Sequence, residues 1–226
     1  MVASKALAAA RKLRSAPTGE ESADSTRDRI LDAAERQFAT HSIEEVTLRD
    51  VTSAAGVNLA AVHYHFGSRD DLLRAILVRR MTPLLEERKR RLSFLPHEGT
   101  VQEKIEHIVR AFIEPSMEYD CSNDNYLVHR LITRLAIYEE RDPIDMFQFT
   151  LAETHAKFLD ALTGVLPDLD RERLGYRFEF MLGLLSHATA LRARLVGADH
   201  AIHGIATPDR LLLELIASTI AVFCAA

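Results

Sequence analysis

One helix-opening signature occurs three times between residues 25 and 71. Ser25 and Asp28, Thr47 and Asp50, and Ser68 and Asp71 each set a hydroxyl side chain three residues ahead of an acid. At that spacing the hydroxyl accepts from a first-turn backbone N–H while the acid reaches back to the cap. A chain marked this way must fold there as a run of short helices. Gly56 closes the second of them, where a left-handed C-cap costs glycine least, and Asn58 caps a third. Ile30, Ala34 and Phe38 line one face of the first helix, which fades near His41. Leu48, Val51 and Ala55 line the second, the third runs to about His65, and Leu72, Leu73, Ile76, Leu77, Met81 and Leu84 give a long fourth.

The rest of the chain keeps the helical period. Helices are expected over 101–117, 126–138, 142–164 (with Pro143 at its first position), 171–195 and 207–223. No stretch reads as a strand and no internal repeat is visible. The expected fold is all-α, near nine helices, in three parts: an arm over 1–24, a three-helix unit over 25–72 and a helical unit over 73–226. With 47% apolar and 27% charged residues the chain can bury a core and is not disordered. No run of about 18 apolar residues lacks charge, so no membrane span is expected. Residues 1–14 lack the apolar centre of a secretory signal. Cys121 and Cys224 form neither a disulfide framework nor a metal spacing, which fits a reduced cytoplasmic protein. The net charge of −5 divides unevenly: residues 1–91 hold 16 Lys/Arg against 13 Asp/Glu, and residues 92–226 hold 12 against 20. The N-terminal part suits a polyanion better than the remainder does.

A short helix, a tight turn at Gly56 and a second short helix make a helix-turn-helix. In the second helix Val62 and Phe66, four apart, can face a core, which turns Leu59, Ala60, His63 and Tyr64 outward. Two alanines, Ala60 and Ala61, keep its first turn slim enough to enter a major groove, and His63, Tyr64 and His65 carry groups for phosphates or base edges.

These residues resemble the TetR family of transcriptional repressors. The resemblance rests on Ile30-Leu31-Asp32-Ala33-Ala34 with Phe38, Val46-Thr47-Leu48-Arg49-Asp50-Val51, Ala54-Ala55-Gly56-Val57, Tyr64-His65-Phe66 and Ser68-Arg69-Asp70-Asp71-Leu72-Leu73. More narrowly, 56–62, 64–68, Pro167-Asp168-Leu169 and 180–187 are similar to the subgroup that controls fatty-acid catabolism genes. The resemblance implies phosphate contacts from Thr47 and Arg69, and base or backbone contacts from Leu59, Ala60, His63, Tyr64 and His65. Arg49, beside Thr47, joins the expected DNA-facing set. The family's usual glycine after the first helix is Ser42 here, and His63 stands where an aromatic is commonest. The implied protein is a homodimer on palindromic operator DNA, with no cofactor and no catalytic residue, responsive to a small hydrophobic or amphipathic effector such as an acyl-CoA or fatty acid.

For the second unit, helices 142–162 and 171–195 are apolar on more than one face and suit a two-fold dimer. Phe112, Tyr126, Phe147, Phe178 and Met181 are either plain core or the lining of an effector pocket. His129, Arg130 and Arg134 interrupt an apolar helix; the two arginines either pair with a carboxylate such as Glu139 or together address an anion. His63 and His65 are two apart and do not share a helix face, so no metal is expected. Lys5, Arg11, Lys12 and Arg14 are either an idle tail or a basic arm toward DNA. Arg88, Lys89, Arg90 and Arg91 read as a solvated face beside Glu86 and Glu87. Two other readings stay open: an architectural DNA binder without an effector, and a helical enzyme, though the chain has no phosphate loop or nucleophile motif.

Overall fold

The computed structural model describes residues 19–41, 45–118, 145–196 and 209–225. These form eight α-helices: α1 Gly19–Thr40, α2 Leu48–Ala55, α3 Leu59–Phe66, α4 Arg69–Leu92, α5 Val101–Glu118, α6 Asp145–Val165, α7 Arg171–Val196 and α8 Asp209–Cys224. No strand occurs among the described residues. The helix expected over 126–138 lies outside them.

The helix-opening signatures divide into two that form and one that does not. Thr47 accepts from the Asp50 N–H at 3.3 Å, and the Asp50 carboxylate accepts from the Thr47 N–H at 2.9 Å. Ser68 likewise accepts from Asp71 N–H at 3.0 Å. Ser25, by contrast, lies inside α1, which opens at Gly19, within the stretch expected to be an arm. The physical reason is upstream: no proline stands between Pro17 and Ser25, and Glu20, Glu21 and Asp24 fall within the first turns by sequence, where the helix dipole favours acids. An unexpected box opens α5, where Thr100 and Glu103 exchange bonds at 2.7 and 3.2 Å.

Two apolar clusters organise the molecule. The first joins α1 (Ile30, Leu31, Ala33, Ala34, Phe38), α2 (Val51, Ala55), α3 (Val62, Phe66) and α4 as far as Leu85. It therefore continues past residue 72, and Leu151 of α6 packs against it. The second joins α5 (Ile105, Ile108, Val109, Phe112, Met117), α6 (Phe158, Leu162), α7 (Leu174, Phe178, Met181, Leu185) and α8 (Leu215, Ile216, Phe223). Arg177, buried on α7, donates to the carbonyls of Phe223 and Ala225 at 2.7 and 2.6 Å. It thus satisfies carbonyls that the end of α8 leaves without helical partners.

Candidate nucleic-acid interface

The interface is built from the turn outward. Gly56 ends α2 at φ 64°, ψ 41°, a left-handed conformation that bends the chain toward α3 without the cost a Cβ would bring. A Cβ there would also stand 3.4 Å from Arg29 Nη2. That guanidinium donates to the carbonyls of Ala55 and Gly56 at 2.7 and 3.3 Å, so α1 clamps the turn from behind. Val57 N–H donates to Thr52 O at 3.1 Å, and Asn58 Oδ1 accepts from Ala61 N–H at 2.8 Å. The turn is fixed on both sides before α3 begins.

Within α3, Val62 and Phe66 are buried while Leu59, Ala60, His63 and Tyr64 are exposed, as the four-residue spacing requires. Tyr64 is 83% exposed, far beyond what a tyrosine without a partner surface normally shows. The His63 Nδ1 donates to the Gly67 carbonyl at 2.7 Å. A carbonyl can only accept, so the neutral ring carries its proton on Nδ1 and leaves Nε2 as an acceptor. His65 is half-buried, edge-on to Tyr64 with ring centroids 5.1 Å apart.

Thr47 and Arg49 are exposed at the start of α2. The Thr47 hydroxyl donates to Asp50 Oδ2 at 2.5 Å, and these bonds hold the Asp50 carboxyl below the ordinary carboxylate range. Arg69 is drawn further inward: its Nε donates to Val46 O at 2.9 Å and its guanidinium lies 5.7 Å from the Phe38 ring centroid. Thr47, Arg49, Leu59, Ala60, His63 and Tyr64 are thus all exposed, while His65 and Arg69 are half-buried. The Arg29 clamp carried no signal in the sequence, where it is one arginine among several on α1. Ser42 lies outside the described residues. No group of three or more His, Cys, Asp or Glu among the described residues is placed to hold a metal.

The second unit places Phe112, Phe178 and Met181 together, all buried. Phe112 meets Phe158 and Phe178 edge-to-face, with centroids 4.9 and 5.3 Å apart. Tyr126, His129, Arg130 and Arg134, and the side chain of Phe147, lie outside the described residues. The basic run at the end of α4 corrects the sequence reading. Lys89, Arg90 and Arg91 do pair with Glu86, Glu87 and Glu118, but Arg88 points inward and is buried. It falls on the stripe Leu77, Met81, Leu84, Arg88, a three-to-four-residue spacing that the surrounding charges concealed.

Comparison with known proteins joins both halves. Residues 30–76 match the model of bacterial regulatory proteins of the tetR family, and residues 110–222, half of the chain, match the tetracyclin repressor-like C-terminal domain. The HTH-type transcriptional regulator SrpR of Pseudomonas putida is 27% identical over 64% of this chain and 61% of its own length. UidR of Escherichia coli, also an HTH-type transcriptional regulator, is 26% identical over 72% of this chain and 90% of its own. The match spans less than two thirds of the length of the first curated relatives, 61% of SrpR and 63% of TtgW. A solved transcriptional regulator from Pseudomonas aeruginosa PAO1 superimposes with a TM-score of 0.60 at 16% identity, over 95% of this chain and 97% of that one. With family models accounting for both the helix-turn-helix and the helical unit behind it, the chain belongs to the TetR family of transcriptional regulators, not to a class of enzymes.

Proposed function

We propose that the protein is a ligand-responsive repressor that binds palindromic operator DNA as a homodimer. The observation that carries this is α3 itself: a two-turn helix, pinned at both ends, that buries Val62 and Phe66 and holds Ala60, His63 and Tyr64 out to solvent. Such a helix fits a major groove. Thr47, Arg49 and Arg69 hold it in register through phosphates, and Leu59, Ala60, His63, Tyr64 and His65 meet bases or backbone.

One such helix covers too few base pairs for tight, specific binding, so two copies act together. The surface that suits the pairing lies on the last two helices. Tyr176 and Phe180 of α7 and Leu213 of α8 are each about 60% exposed, and Gly183, Ala190 and Ala217 continue the face. Among the described side chains of α6 the exposed positions include Glu153, Lys157 and Asp160, with Glu153 and Lys157 paired at 3.0 Å. This exposed apolar face makes α7 and α8 the pairing surface in this reading. The similarity to regulators of fatty-acid catabolism makes a fatty acid or acyl-CoA the first effector class to examine. No helix among the described residues is long and apolar enough to cross a membrane.

The test is selection of duplexes from a random library by the purified full-length chain. An inverted repeat with half-site centres about 10 base pairs, or a multiple, apart supports the reading. Binding with steep salt dependence but no sequence preference would instead establish an architectural binder.

A further inference from the structure

The second core holds a cation that DNA binding does not use. Arg88 is only 4% exposed, although Lys89, Arg90 and Arg91 beside it all reach surface carboxylates. Its guanidinium lies 3.7 Å from the centroid of the Phe112 ring. Nε donates to the Phe112 carbonyl at 2.9 Å and Nη2 to Ser116 Oγ at 2.7 Å. Both acceptors are neutral, and no carboxylate pairs with Arg88 among the described residues. Burial alone lowers its proton affinity, to a pKa of about 9, so it stays charged at neutral pH.

A guanidinium has five N–H donors, and two are spent on α5. Three remain, on Nη1 and on the edge that Nη1 shares with Nη2. Among the described residues Arg88 makes its hydrogen bonds through Nε and Nη2 only, which leaves Nη1 to a further acceptor. His155 of α6 stands on the same ring cluster, 5.8 Å from Phe112 and 5.2 Å from Phe178 between centroids. Burial and the Arg88 charge push the His155 pKa down to about 4, so its ring is neutral. Among the described residues the surroundings are thus one fixed positive charge, one neutral imidazole and aromatic rings, with no acid. A buried charge without a counterion is strongly unfavourable, and an anion that brings its own apolar body relieves it.

We propose that Arg88 anchors the carboxylate of an apolar effector, whose body lies beside the partly exposed ring of His155 at the edge of its cluster with Phe112 and Phe178. The Nη1–Nη2 edge matches the two oxygens of a carboxylate. A single buried cation balances a monoanion, whereas a phosphate dianion or the phosphates of an acyl-CoA would leave excess negative charge in an apolar core. This deepens the ligand-responsive reading and rests on it: the effector is a free carboxylic acid.

Thermal-shift and calorimetric titration of the full chain test this with matched pairs: laurate and lauramide, 4-phenylbutyrate and its amide, 2-naphthoate and 2-naphthamide. Lauroyl-CoA and inorganic phosphate complete the set. At least one acid is expected to raise Tm in a dose-dependent way and to bind about tenfold or more tightly than its amide. In Arg88→Met the acid should lose that preference over the amide; Arg88→Lys should retain part of it. An arginine that merely ties α4 to α5 would leave the wild-type acid and amide equal, and that result overturns the proposal. So does a silent set of acids, binding of lauroyl-CoA alone, or an acid preference that survives in Arg88→Met. Should Arg88→Met not fold, the wild-type acid and amide comparison decides by itself. Operator binding by the same preparation separates the two readings: if it is intact while no acid is preferred, only the anchor fails, and if it is absent, the regulator reading fails.

Discussion

Val62 and Tyr64 stand two residues apart on one short helix and meet opposite environments, one fully buried and one almost fully exposed. That contrast was legible from the spacing of Val62 and Phe66 alone, because a helix with two core contacts has little freedom in where its other side chains point. Tyr64→Ala is expected to weaken operator binding about tenfold, or ~1.4 kcal/mol, while thermal stability and dimer mass stay at wild-type values; loss of the dimer would instead make Tyr64 structural. Arg88 shows the opposite case. Its neighbours' charges outweighed its position on the buried stripe, the one local sign that this member of a run of four basic residues is taken inward. The histidine beside it was not singled out at all, since its setting comes from Phe112 and Phe178 on other helices. For His155 the folded pKa of about 4 lies below the ordinary value of 6.5, so the unfolded chain binds more protons between those limits. Stability is then full above about pH 6.5 and falls as the pH drops toward 4, by an order of 3 kcal/mol at most. Urea unfolding at pH 7.5 and pH 5 checks this: His155→Phe should show a smaller loss than wild type, and an equal loss would remove His155 as the cause.

At the level of the helices, local chemistry dictated boundaries wherever a cap was complete. Thr47, Asn58, Ser68 and the left-handed Gly56 stand where their residue types require. Ser25 had the right spacing but no helix end to cap, because the acidic residues before it already continue the helix. Thr100 and Glu103 had the same spacing and were passed over, although they open α5. Spacing thus identifies candidates, and what precedes them decides. Gly56→Ala should destabilise the chain by about 1–2 kcal/mol, since φ is positive there. Thr47→Ala removes the cap acceptor and should cost about 1 kcal/mol. Both are measured by chemical denaturation, and the glycine variant should also lose operator affinity beyond its stability loss because α3 is re-aimed.

Across the whole molecule, the sequence conveyed the class of fold and the DNA-facing element better than the joins between parts. Joins depend on pairs distant in the chain. Glu35, nearly buried on α1, accepts from Arg79 Nε at 2.9 Å and from Arg80 Nε at 3.1 Å, with Asp32 accepting from Arg79 Nη2 at 2.7 Å. Partners 44 and 45 residues apart leave no periodic trace. Glu35→Gln should cost about 1–3 kcal/mol, less than a sealed ion pair because both arginines are partly exposed. The proposed dimer face is likewise hard to read from sequence, since α6 and α7 are both apolar there and outward exposure depends on packing. Phe180→Asp should yield monomers by light scattering with the helical content kept; persistence of the dimer would exclude the α7–α8 face. The long α4 has one more consequence. Its residues from Leu72 to Leu85 complete the first core, while Arg88 and Leu92 contact the second, so the two halves share a component. Anyone recombining sensor and reader modules between such regulators should therefore place the seam in the loop at 93–100, where α4 has ended, and not after residue 72. A graft at the earlier point would pair half a core from one parent with half from another, and its signalling would inherit that mismatch.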